Sequence, residues 1–164
     1  MALTPEQLTT FAAALAAETD PVLVSARDSG ATPLIANWYN DAASPEVVVW
    51  RTSVPQDEIM RNGFDWVRVD NLAVGKARIW EWMFQNESRS FNPSKSNVRA
   101  GIEEVWKGTA ADLAVRAAIY VHCKRPATRI EAMFAAGAGT TESPSTMAFE
   151  GNLSEYDVTL ALAL

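Results

Sequence analysis

Hydrophobic positions along this chain recur mostly at helical spacing, in short runs divided by Pro, Gly and Asn. Thr4-Pro5-Glu6-Gln7 has the form of a helix start, with Thr4 as N-cap, Pro5 in the first turn and Gln7 closing a capping box. Leu8, Phe11, Ala12 and Leu15 follow at i, i+3, i+4 and i+7, which predicts one apolar stripe on a helix to about Glu18. Asp20-Pro21 starts a second helix that Ser29-Gly30 stops, and Thr32-Pro33 starts a third carrying Leu34, Ile35, Trp38 and Tyr39. Ser53 caps a short helix through Ile59 and Met60, ended by Asn62-Gly63. A central helix follows Asp70-Asn71, with Leu72, Ile79, Trp80, Met83 and Phe84 on one arc and Arg78, Glu81 and Gln85 opposite. Trp82 falls outside that arc, beside Arg78, and reads either as an interface anchor or as an apolar rim position.

Beyond the turn at Phe91-Asn92-Pro93-Ser94, Val98, Ile102, Val105 and Trp106 fall at i, i+4, i+7 and i+8 of a further helix. Gly101 inside it costs about 1 kcal/mol relative to Ala, and either permits close backbone approach or is simply tolerated. Thr109 caps a helix whose stripe is Leu113, Ala117, Tyr120 and Val121; Pro126 interrupts, and a last core helix runs through Ile130, Met133 and Phe134 to Gly137. Val47-Val48-Val49-Trp50 is the one strand-like run, and no second run offers it a partner. It is therefore either a buried extended segment or a strand that pairs with another subunit. From Gly137 to Asn152 there is no periodicity, which suggests a functional loop or an arm. Ser154 and Asp157 form an N-cap pair for a terminal helix whose leucines pack on the chain's own core or enter a neighbouring subunit. The expected fold is all-α. A bundle of short helices (residues 1–136) forms the body, and a long extended C-terminal arm (137–164) carries a short terminal helix.

Composition adds that the chain can support a core. Its 164 residues suit one domain, and six Trp, six Phe and 48% hydrophobic residues are ample to fill it. No apolar run approaches the ~20 residues needed to cross a bilayer, and the N-terminus lacks the form of a signal peptide, so the expectation is synthesis and retention in the cytoplasm. Charge is divided unevenly. Residues 1–70 hold four Arg and Lys against ten Asp and Glu, residues 71–129 hold ten against five, and residues 130–164 hold none against five. Such a split suits a subunit that docks on copies of itself or on differently charged neighbours.

Candidate chemistry is sparse. His122 and Cys123 are the single histidine and cysteine, and adjacent helical residues point about 100° apart, so they do not form a nucleophile–base pair. One His and one Cys fall short of a zinc site, and the carboxylate pairs Asp57-Glu58 and Glu103-Glu104 diverge on their helices. No phosphate-binding glycine loop, nucleophile elbow or zincin motif is present. The expectation is no catalytic residue, cofactor, metal or small-molecule substrate, and no membrane. Arg89, Lys95, Arg99, Arg116, Lys124, Arg125 and Arg129 read either as solvated and helix-end cations or as contacts to DNA or an acidic partner.

Several stretches carry a resemblance. Trp50-Arg51-Thr52-Ser53-Val54, then Gly75-Lys76-Ala77-Arg78-Ile79-Trp80-Glu81-Trp82-Met83, then Asn92-Pro93-Ser94-Lys95-Ser96-Asn97-Val98-Arg99-Ala100-Gly101 form the first group. Lys124-Arg125-Pro126-Ala127-Thr128-Arg129, Phe134 to Thr140 and Ala148-Phe149-Glu150-Gly151 form the second. Together, over most of the chain, they resemble a family of small structural proteins of tailed bacteriophages and prophages. The resemblance implies a virion protein made in the bacterial host cytoplasm. An all-helical body with a long arm is similar to the head–tail adaptors that form a ring below the portal. Its partners would be copies of itself, the portal, other neck and tail proteins and, through its cations, packaged DNA. Interface residues on this reading are Trp82, Arg89, Lys95, Arg99, Lys124, Arg125, Phe149, Leu160, Leu162 and Leu164. An assembly factor absent from the mature particle and a minor, head-stabilising capsid protein are the alternatives.

Overall fold

Helix starts are where local sequence and structure agree most closely. The computed structural model describes residues 2–61 and 64–164. The chain runs α1 (Pro5–Ala16), α2 (Pro21–Asp28), α3 (Thr32–Asn40), β1 (Val48–Trp50), β2 (Val54–Pro55), α4 (Gln56–Arg61), α5 (Trp66–Asp70) and α6 (Val74–Trp82). It continues as β3 (Ser90–Phe91), α7 (Ser96–Val105), α8 (Ala110–His122), β4 (Lys124–Pro126), α9 (Arg129–Met133), β5 (Ala135–Ala136), β6 (Thr146–Met147) and α10 (Glu155–Leu162). At α1, Gln7 N donates to Thr4 Oγ1 at 3.2 Å and Thr4 N donates back to Gln7 Oε1 at 3.0 Å. Thr109 with Asp112, Thr128 with Glu131 and Ser154 with Asp157 build the same reciprocal box at α8, α9 and α10. Each box satisfies amides that a helix start otherwise leaves without partners. Ser53 does not cap α4: its hydroxyl donates to Ser90 Oγ at 3.0 Å, and the following Val54-Pro55 pairs with Phe91 and Ser90 as a strand. The expected stop at Asn62-Gly63 lies outside the described residues.

The all-α expectation is overturned. The chain is mixed α/β, 53% helix and 11% strand, with its strands in three small antiparallel sheets. Strands of two or three residues are too short to show alternation, and their partners lie far away in sequence. The run from Val47 to Trp50 has its partners inside the chain after all, since β1 lies beside β4, a stretch that reads as a helix end broken by Pro126. Ala127 N donates to Val47 O and Val48 N to Gly139 O, both at 2.8 Å, and Ser145 N donates to Val48 O at 2.9 Å.

Contacts divide the chain into two units, Met1–Val49 with Pro126–Leu164, and Trp50–Arg125. The first unit gathers α1, α2, α3, α9 and α10 around Phe11, Leu15, Ile35, Tyr39, Ile130 and Val158. Phe11 meets Tyr39 edge-on, with ring centroids 4.9 Å apart. The expected extended arm is also corrected, because residues 137–164 fold into this unit. β5 and β6 pair Ala135 with Met147 and Ala136 with Thr146, so 137–145 is the connection of a hairpin. Phe149 and Leu153 are buried, and α10 lies against α1 and α3. Asn40 clasps Leu153 from both sides, donating to its carbonyl at 3.0 Å and accepting from its amide at 2.7 Å. Glu131, 2% exposed, accepts from the amides of Thr128 and Gly151, each at 3.0 Å. Large apolar residues without helical period still bury themselves when backbone partners are available, and periodicity cannot report that.

The second unit packs α4 to α8 on an aromatic core. Trp80 is the hub: it meets Phe84 and Trp106 edge-on at 5.1 and 5.5 Å and stacks with Phe64 at 6.0 Å. α6 lies against α7, where a Cβ on Gly101 would meet only side-chain atoms, Met83 Cε at 2.5 Å and Ile79 Cγ2 at 3.9 Å. The stripe expected on α8 is rotated. Its buried face is Asp112, Val115 and Ile119, continued by Cys123 just past the helix, while Leu113 and Val121 are exposed. The buried stripe begins on an aspartate satisfied by its cap and by Arg68, which an apolar pattern does not register.

Candidate interaction surface

On α6 the inward arc read from the sequence is observed, with Trp80 and Phe84 buried and Ile79 and Met83 packed against them. The outer face follows from the same geometry. Val74, Arg78 and Trp82 are four residues apart and so share a face. Val74 is 74% exposed and Trp82 60%. The Arg78 side chain makes no hydrogen bond or ion pair with any described residue. An exposed indole beside an unpaired guanidinium is the kind of pairing that anchors protein interfaces. Trp66 and Val67 on α5 add further exposed apolar surface to this unit.

The other expected contact residues separate into two groups. Arg89 and Lys95 are exposed, and their side chains bond to no described residue. Arg89 also has φ +45°, and its carbonyl accepts from Gln56 N at 2.9 Å. Arg99 and Lys124 are occupied within the unit. Arg99 donates to Pro93 O at 2.7 Å and Ser94 O at 2.8 Å, and its guanidinium lies 4.9 Å from the Trp50 ring centre. Lys124 Nζ lies 5.3 Å from the same ring and 5.8 Å from that of Tyr120. Arg125 is half-buried in β4.

In the first unit Phe149 is a core residue against Phe134, and Leu162 is half-buried, whereas Leu160 and Leu164 are exposed together with Tyr156. An open groove of about 880 Å³ runs between α1, the end of α2 and the end of α10. Leu15, Ala12, Ala13, Ala16, Leu162 and Leu164 line it. Arg27 lies at one end, but its Nη1 is committed to Ala16 O at 3.0 Å and Leu15 O at 3.3 Å, and its Nε to Asp28 at 3.2 Å. The sequence pattern marks Ala12 and Leu15 as part of the α1 stripe, but Ala13 and Ala16 lie outside it and carry no periodic signal.

A polar cluster lies at the start of the second unit. Arg51 donates to Glu58 at 2.5 Å and to His122 O at 3.0 Å, and His122 Nδ1 lies 3.5 Å from Glu58. The Arg51 guanidinium holds the Glu58 carboxyl below the usual carboxylate range. Cys123 is fully buried, and burial pushes its thiol up to about 12, the reverse of an activated nucleophile. Among the described residues no group of three or more His, Cys, Asp or Glu could hold a metal ion, and no helix is long and apolar enough to cross a membrane.

The two units carry net charges of opposite sign. The first unit carries Arg27 and Arg129 against eleven Asp and Glu, a net −9; the second carries twelve Arg and Lys against nine, a net +3, and together they restore −6. No family model, curated protein or solved structure matches the chain.

Proposed function

We propose that this protein is a structural component of a tailed-phage virion, a head–tail connector or adaptor that works in a ring of copies below the portal and catalyses no reaction. The observation that carries this reading is the opposite net charge of the two units, −9 and +3. A closed ring needs a heterologous interface, in which one face of a subunit meets a different face of the next. Oppositely charged units supply two such faces, which attract unlike and repel like. Exposed large apolar residues on both units, Trp82 and Trp66 on one, Tyr156 and Leu164 on the other, supply contact area. Portal and tail proteins are the further partners on this reading, and Arg78, Arg89 and Lys95 are cations open to packaged DNA. Because residues 137–164 are folded into the first unit, docking rests on the unit surfaces and not on a reaching tail.

Quantitative mass spectrometry of purified virions tests this. The expected result is a stoichiometric protein at about a dozen copies per particle, as a single ring requires. Absence from the particle overturns the reading in favour of an assembly factor, and hundreds of copies overturn it in favour of a capsid-lattice protein.

A further inference from the structure

The Val74–Arg78–Trp82 face of α6 and the alanine-floored groove beside α1 are both apolar and lie on units of opposite net charge. We infer that the α6 face of one copy docks into the α1–α10 groove of a second copy. The inference rests on the ring proposed above and names the two faces that would close it.

The α6 face presents two large apolar side chains, 74% and 60% exposed, on either side of an unpaired guanidinium. Its occupant must therefore be apolar with an acidic rim. The groove meets both conditions. Ala12, Ala13 and Ala16 keep its floor shallow, so a helix can approach closely, and Leu162 and Leu164 give it an apolar wall. A space of about 880 Å³ accommodates an indole with an aliphatic neighbour, since pockets of roughly 300–1,000 Å³ hold whole ligands. Asp28 lies on its rim with a side chain 66% exposed. Arg27, whose Nη1 is turned onto the α1 carbonyls, takes Asp28 Oδ1 through Nε at 3.2 Å, so a guanidinium from a second copy would meet Oδ2. A nucleic acid is a poor occupant for a groove on a unit of net −9 whose one cation is already bonded. A second copy carries the matching face at the same concentration as the groove. The pairing is heterologous, so an open chain of copies retains one free face at one end and one free groove at the other until the ring closes.

Two variants and their mixture test the pairing. Arg78→Glu with Trp82→Gln removes the inserted face, and Ala13→Arg fills the groove and repels Arg78; all three positions are exposed on helices. Sedimentation velocity should show the unaltered protein associating with rising concentration, and each variant alone weakened by at least about tenfold, as loss of a tryptophan hot spot implies. An equimolar mixture of the two variants should form a 1:1 dimer and nothing larger, because one intact face and one intact groove remain. Circular dichroism and thermal unfolding confirm that both variants are folded; should either fail, Val74→Lys and Ala16→Arg replace them. If the unaltered protein assembles and the variants assemble equally well, or if the mixture stays monomeric, the pairing is wrong and the ring reading stands. If the unaltered protein stays monomeric at every concentration and is missing from virions, both fall.

Discussion

Arg68 on α5 donates from Nη2 to Asp112 Oδ1 at 2.5 Å, joining a five-residue helix to the first turn of α8. Arg68 also reaches Thr109 Oγ1 at 3.1 Å, and Thr109 N donates to the other Asp112 oxygen at 3.1 Å. The guanidinium, and after it the Thr109 bonds, hold the Asp112 carboxyl down at about 2. The folded value lies below the roughly 3.9 of an unfolded aspartate, so the stability gained is fully present above about pH 4 and is lost as pH falls towards 2. Carboxyl-carbon NMR should find Asp112 titrating near 2, and Arg68→Gln should raise that value. The variant should also lose less stability than the unaltered protein between pH 4 and pH 2. An Asp112 that titrates at the ordinary aspartate value in the unaltered protein contradicts this account.

Cys123 should be inert while the protein is folded. It is 0% exposed, and a thiol pushed up to about 12 is almost wholly protonated at pH 8. Labelling with a thiol reagent should therefore proceed only through opening of the second unit, with a rate that follows urea concentration and reaches completion in the unfolded chain. Rapid stoichiometric labelling in native buffer would show the thiol to be accessible and the burial of this face of α8 to be misassigned.

Two glycines should respond differently to alanine. Gly139 holds φ +69°, and an added Cβ would lie 2.9 Å from Val47 Cγ1, so Gly139→Ala combines backbone strain with a clash and should cost about 1–3 kcal/mol. Gly101 sits within α7, where the atom in the way is the mobile end of Met83, which borders an open recess of about 320 Å³. Met83 can swing aside, and Gly101→Ala should be neutral or add up to about 1 kcal/mol through helix propensity. Urea unfolding of both variants decides it; destabilisation by Gly101→Ala would mean that Met83 is fixed by the packing of α6 on α7.

Local signals were legible in the sequence where they are satisfied locally. Thr4, Asp20, Thr109 and Ser154 cap their helices because a capping side chain needs only the next three residues. The inward arc of α6, and with it the exposure of Trp82, also followed from spacing alone. What depends on distant partners was not legible. β1 is completed by residues near 125, β2 by Ser90-Phe91, and Phe149 by helices more than a hundred residues earlier. The stripe of α8 was misread because two apolar sets fit helical spacing, and the choice between them rests on Asp112 finding Arg68 across the unit. At the interaction surface, Trp82, Arg89 and Lys95 are exposed as a patterned reading allows, whereas Arg99 and Lys124 are drawn in by the Trp50 ring, a contact that spacing does not encode.

The folding-in of the last residues carries a consequence for truncation. An extended arm could be removed without harm to the body, but α10 is part of the first unit's core: Val158 is 0% exposed, Ala161 5% and Leu153 3%. Its loss would leave both polar ends of the Asn40 amide without Leu153 and take Asp157 from the amide of Leu3, which it accepts at 3.3 Å. A chain ending at Gly151 should therefore expose Phe11, Ile35 and Tyr39, bind a hydrophobic dye, and lose hydrogen-exchange protection in α1 and α3. The loss should come from burial and not merely from shortening, so Leu164→Ser, at a residue 77% exposed, should leave stability within about 0.5 kcal/mol. Full protection of α1 and α3 in the truncated chain would make α10 an independent appendage. The contacts of Val158 and the clasp of Asn40 on Leu153 argue that protection there is lost with α10.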